Sequence, residues 1–148
     1  MRHVSFAFVT TLLAYVLGAE VDARSCSPPG PVDREFELAT KVFVGKVIAT
    51  EARQAADVTL AQTVATFEVE EAWKGAPGPS VQVATCGAES VGIICTVAVD
   101  FVVDERMLVF AFGEPPATSK CGRTGGNDSP FWSATLEWLR AKPSRKAG

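Results

Sequence analysis

The sequence predicts a mainly β fold, an OB-fold-like five-stranded Greek-key barrel with a flanking helix at each end. Three observations predict it. Apolar and polar residues alternate with period two in short runs, most cleanly from Thr63 to Glu70. Glycine and proline turn signals separate the runs, as at Lys74-Gly75 and Ala76-Pro77-Gly78-Pro79. Helical spacing is confined to the two ends of the chain that follows the leader described next. Periodicity alone fits a sandwich of similar size as well as a barrel.

At 148 residues the chain has the length of one domain. Its first segment has the form of a secretory signal. Arg2 and His3 supply a basic start, and Val4 to Leu17 carries no charge. That stretch is shorter than the roughly 20 apolar residues of a membrane span. Small residues allow cleavage after Ala19 or after Ala23, so residues 1–23 are expected to be a signal peptide. The processed protein is therefore expected to be secreted or periplasmic, with no membrane attachment after cleavage. A composition 47% hydrophobic and 21% charged is that of a globular chain. A net charge of −3 gives no electrostatic reason to bind nucleic acid.

Ser27-Pro28-Pro29-Gly30-Pro31 opens the domain as a rigid extended segment, because each proline fixes its own φ and restricts its predecessor. Pro31 can start a helix, where its missing N–H costs nothing. Val32, Phe36 and Ala39 then recur at helical spacing, with Asp33, Glu35 and Glu37 near the end that favours negative charge. Lys41 to Thr50 turns β-branched and aromatic, and Gly45 within it marks a bulge or bend. In Thr63 to Glu70, Ala65, Phe67 and Val69 point one way while Thr66, Glu68 and Glu70 point the other. Val81, Val83 and Thr85 alternate toward Cys86, and Ile94 to Val99 resumes strand composition. Met107 to Phe112 is a short apolar run suited to a central strand, and Thr118 to Thr124 fits a final short strand. Ser129 is placed to cap a helix with Pro130 at its first position, and Trp132, Leu136 and Leu139 mark its packing face, widened by Phe131 and Trp138. Residues 141–148 read as a disordered basic tail.

Cleavage would remove His3, the single histidine of the chain. Without it there is no Ser-His or Cys-His dyad and no imidazole ligand, and the acids sit in strand alternations or first helical turns. The expectation is a protein that is not an enzyme and carries no cofactor or metal of its own. Four cysteines, Cys26, Cys86, Cys95 and Cys121, remain. An even count in an exported chain reads as two disulfides, and the sequence by itself allows three pairings.

Several runs, taken in order, resemble the tissue inhibitors of metalloproteinases and the related netrin modules. Ser25-Cys26-Ser27-Pro28, directly after a leader, is similar to that family's Cys-Ser-Cys-Ser-Pro start. Val42-Phe43-Val44-Gly45-Lys46-Val47 resembles its first strand, and Phe67-Glu68-Val69 through Trp73-Lys74-Gly75 its next shared signature. Cys95 sits twelve residues before Met107-Leu108-Val109, and Cys121-Gly122-Arg123-Thr124 resembles the end of the later barrel strand. The likeness is greatest to short netrin-module proteins of bacterial type, and it implies a netrin-like OB-fold domain over residues 24–140.

The resemblance implies a Cys26–Cys121 disulfide. The family's first cysteine falls on Arg24 and that cysteine's partner on Cys95, which leaves Cys86 to pair with Cys95. In the inhibitors, the amine and carbonyl of the first residue chelate the target protease's zinc, and the second side chain enters the pocket beside it. Cleavage after Ala23 would put Arg24 and Ser25 in those places. Arg24, Ser25, Cys26, Ser27 and Pro28 are thus the implied protease contacts, with Arg24 lacking the disulfide that holds the family's first residue. The implied function is inhibition of zinc endopeptidases through the processed N-terminus. The alternative is a non-inhibitory netrin-like module that binds another extracellular protein.

Overall fold

The computed structural model describes residues 26–54, 61–75, 78–85 and 98–146. The segment 1–23 expected to be a signal peptide, Arg24, Ser25, Cys86 and Cys95 lie outside these residues, as does most of the strand expected at Ile94–Val99. Residues 98–100 form no strand.

Helix α1 spans Val32–Leu38 and begins directly after Pro31, with Asp33 and Glu35 in its first turn. Strands β1 (Lys41–Gln54) and β2 (Ala61–Lys74) form a long antiparallel hairpin. β3 (Ser80–Thr85) adds to β2, and β4 (Arg106–Ala111) adds to the other side of β1. Three two-residue strands complete the sheet: β5 (Ala117–Thr118), β6 (Gly125–Gly126) and β7 (Arg145–Lys146). Helix α2, Trp132–Arg140, lies between the last two. The order across the sheet is β5-β3-β2-β1-β4-β6, with β7 also on β2.

The sheet curls on itself. β5 runs parallel to β3, yet Ala117 also bridges Phe112, just past β4, through a reciprocal pair of backbone hydrogen bonds of 2.8 and 2.9 Å. The Thr118 hydroxyl donates to the Phe110 carbonyl at 2.8 Å. Curvature of this kind needs local twist, and β1 supplies it with irregularities at Val42/Phe43, Val44/Gly45 and Val47/Ala49. Gly45 has a steric reason to be glycine: a Cβ there would lie 2.7 Å from the Glu68 carbonyl oxygen.

Two apolar layers lie on opposite faces of the curled sheet. The inner one holds Phe43, Val47, Phe67, Val83, Met107 and Val109. There the Phe67 ring meets Phe43 and Phe101 edge-on at 5.4 and 5.6 Å. The outer one sets Val42, Val44, Leu108 and Phe110 against Leu136 and Leu139 of α2, with Phe36 and Trp132 packed beside them. Helix cover on one face and the concave side of the curled sheet on the other bury Met107 through Ala111 without a break, so this strand reads as a continuous apolar run. β2 has less outer cover, and it alternates over Ala65–Glu70 as expected. Phe36 and Trp138 meet edge-on at 5.5 Å, and the Lys142 ammonium lies over both rings, which ties α1 to α2.

Four expectations need correction. Among the described residues the sheet has seven strands by hydrogen bonding, where five were expected, because β5, β6 and β7 are short pairings made by distant segments. The strand expected over Thr118–Thr124 is instead two short strands on either side of a turn that carries Cys121. Helix α2 starts at Trp132, with Phe131 rather than Ser129 in the capping position. Ser129 closes the preceding turn by accepting from Trp132 N–H at 3.0 Å through its carbonyl. The tail beyond Arg140, expected to be disordered, pairs Arg145 and Lys146 with Ala72 and Glu71 of β2. Among the described residues, no helix is long and apolar enough to cross a membrane.

Candidate functional site: a disulfide-anchored N-terminal ridge

The segment ahead of α1 is held to the sheet by one covalent bond and one arginine. Cys26 is joined to Cys121, 95 residues away, with the two Cα atoms 5.1 Å apart. From that bond, Ser27-Pro28-Pro29-Gly30-Pro31 runs over the outside of the protein to α1. Ser27, Pro28, Gly30 and Pro31 are exposed, and Pro29 is half-buried. Three prolines in this short run remove most of its backbone freedom, so its exposure is that of a stiff ridge.

Arg123 fixes the other end. Its guanidinium donates to the Gly30 carbonyl at 2.7 Å and pairs with the Glu35 carboxylate, while its backbone N–H donates to the other Glu35 oxygen at 2.9 Å. Both side chains are largely buried, each about 11% exposed. The guanidinium also lies 5.8 Å from the centre of the Phe131 ring. One side chain thereby joins the ridge, α1, the Cys121 turn and the approach to α2. Gly122 allows the turn to come this close, because a Cβ there would stand 2.6 Å from a Glu35 oxygen. The far end of α1 is held by Lys74, whose ammonium donates to the Phe36 and Glu37 carbonyls at 2.7 Å each. A cation at these free carbonyls also complements the helix dipole.

Behind the ridge lies an open groove of about 360 Å³, walled by Pro29, Pro31, Leu38, Phe112, Ser119 and Cys121. Leu38 stands at its rim with 65% of its surface exposed. The arrangement combines a rigid exposed segment with an apolar flank and a buried ion pair whose partners are both in place. Among the described residues, no three His, Cys, Asp or Glu side chains gather into a metal site.

Of the residues singled out in the sequence, Cys26, Ser27 and Pro28 lie on the ridge and Cys121 beneath it. Arg24 and Ser25 immediately precede it, outside the described residues, and the expected Cys86–Cys95 bond lies outside them too. Sequence reasoning missed Arg123 and treated Glu35 only as a favourable first-turn acid. The one signal available was the position of Arg123 two residues after Cys121, which the disulfide brings under the ridge. No protein-family model matches the chain, and no curated protein matches its sequence.

Proposed function

We propose that this chain is an exported protein-interaction module that presents its processed N-terminus, carried on the Cys26 ridge, to a zinc endopeptidase and blocks it. The observation that carries this reading is the Cys26–Cys121 bond. It fixes the peptide two residues from Arg24, so that a chain cut after Ala23 projects Arg24-Ser25 from a rigid base. Any terminal residue offers an amine and a carbonyl for a five-membered chelate to zinc. Rigidity beside a binding group preserves affinity by lowering the entropy lost on association.

The resemblance of Ser25-Cys26-Ser27-Pro28 and Cys121-Gly122-Arg123-Thr124 to the metalloproteinase inhibitors and netrin modules supports the same reading. So does the path of the sheet. The circuit β1-β2-β3-β5, returning to the end of β4 through Ala117 and Phe112, is compatible with an OB-type barrel.

A second reading, a netrin-like module that binds an extracellular partner without inhibiting a protease, is favoured by Arg24 itself. It occupies the place of the family's first cysteine and so has no disulfide to order it. Ordering a loose terminal residue costs roughly 1–2 kcal/mol of backbone entropy on binding. The experiment that separates the two is inhibition of a panel of zinc endopeptidases by the chain beginning at Arg24. Dose-dependent inhibition supports the first reading, and its absence leaves the second.

A further inference from the structure

β4 covers β1 only from Lys41 to Lys46. The next residue, Val47, still bonds through its backbone to Asp104 and Glu105, at 2.8 and 2.9 Å. Beyond it, among the described residues, β1 pairs with β2 alone, as far as Gln54. The stretch 48–54 is therefore a strand edge with one row of N–H and C=O groups unclaimed by any described strand. Ile48, Val102 and Val103 are exposed where this edge begins, at 47%, 57% and 49%.

Natural edges of this kind are blunted by proline, by charged side chains (lysine above all), by bulges or by a covering segment, and here the one irregularity, at Val47/Ala49, lies at the start of the stretch. Ile48-Ala49-Thr50-Glu51-Ala52-Arg53-Gln54 carries no proline and no lysine. Its two charges are opposite in sign, two residues apart and on one face, where they pair with each other at about half exposure. That spacing is self-complementary. In an antiparallel pairing of two such edges about a two-fold axis at Ala52, Glu51 falls opposite Arg53 of the second copy and Arg53 opposite Glu51. Both contacts form twice by symmetry, as an isologous interface demands. The intramolecular contacts of Arg53, the pair with Glu51 and a 3.3 Å hydrogen bond to the Gln82 side-chain oxygen of β3, are both exposed and contribute little, so exchanging partners costs little.

We propose that the β1 edge over residues 48–54 pairs antiparallel with the same edge of a second copy of this chain, giving a two-fold dimer with one sheet continuous across it. The main-chain row supplies the attraction and the Glu51/Arg53 alternation sets the register. The inference uses a different surface from the N-terminal ridge and does not depend on the proposed function.

The test is the mass in solution of the oxidised chain, read by light scattering or sedimentation over a dilution series, for three proteins. The native chain is expected to show a concentration-dependent dimer. Arg53→Glu sets Glu51 against a second carboxylate at both symmetric contacts and is expected to weaken the dimer about tenfold or more. Adding Glu51→Arg to that variant restores opposite charges and is expected to restore the dimer. Circular dichroism should match across all three, since both side chains are exposed. A native chain monomeric throughout the series overturns the proposal. So does an Arg53→Glu dimer as tight as the native one, or a charge-swapped pair no tighter than Arg53→Glu alone.

Discussion

Arg123 and Glu35 stand 88 residues apart in the chain and meet through two contacts, guanidinium to carboxylate and backbone N–H to carboxylate, each side chain about 11% exposed. Breaking a pair this buried leaves the remaining charge without its counter-ion. Arg123→Met is expected to lower the unfolding free energy by about 3 kcal/mol, since it leaves the Glu35 carboxylate beneath the ridge with the backbone N–H of residue 123 but no cation. Replacing both residues by methionine should cost less than Arg123→Met alone, because neither charge is then left buried. Urea midpoints of the three proteins measure this. A double variant less stable than Arg123→Met would show that the pair stabilises the fold beyond its own desolvation.

The Cys26–Cys121 bond closes a loop of 95 residues. In the loop-entropy model, a closure near this length stabilises the native state by about 4–5 kcal/mol, with measured values often lower. Changing both cysteines to serine is therefore expected to lower the denaturant midpoint sharply. It should also raise proteolytic cleavage within Ser27–Pro31 ahead of any other segment, because the ridge is then held only by Arg123 at Gly30. Limited proteolysis with peptide mapping reads the order of cleavage.

Lys46 titrates above its ordinary value of 10.5, first through its hydrogen bond to Asp104 and then through the charges of Asp104, Glu68 and Glu70. The ammonium lies 2.6 Å from the Asp104 carboxylate. A raised folded value means that the contribution is fully present below lysine's unfolded value and is lost as pH rises through the folded one. Stability should accordingly fall on the alkaline side above about pH 10.5, and Asp104→Asn should flatten that part of the profile. Asparagine also suits the left-handed backbone at this position, where φ is 72°. Thermal midpoints across alkaline pH provide the check. An unchanged slope in Asp104→Asn would assign the alkaline loss to other groups.

How much of this was legible in the sequence varies with the range of the interaction that decides it. Ala65, Phe67 and Val69 announce β2 because their alternation reports a face that is buried locally along the strand. Trp132, Leu136 and Leu139 announce α2 in the same way. The apolar run at Met107–Phe112 suggests a central strand, and burial of Met107–Ala111 on both faces explains it. Ala117–Thr118 and Arg145–Lys146 carry no such signal, because two residues are too few for a period and their pairing is set by distant β3, β4 and β2. The site follows the same division. Cys26 and the proline run could be read from composition, whereas Glu35, Gly122 and Arg123 become a unit only when the disulfide brings the Cys121 turn against α1.

The proposal that the terminus carried by the Cys26 ridge meets the partner is tested by one paired measurement. Two proteins are compared as inhibitors of the same panel of zinc endopeptidases: the chain beginning at Arg24, and the same chain extended by one alanine ahead of it. A terminal amine with a pKa near 8 loses its proton readily beside zinc, whereas the added residue turns the Arg24 amine into an amide and moves the free amine away from the chelating position. The Cys26–Cys121 anchor and the Arg123 contacts are untouched in both, so the fold is constant. Inhibition by the Arg24-starting chain and its loss on extension are expected. Equal potency of the two would contradict the chelating terminus.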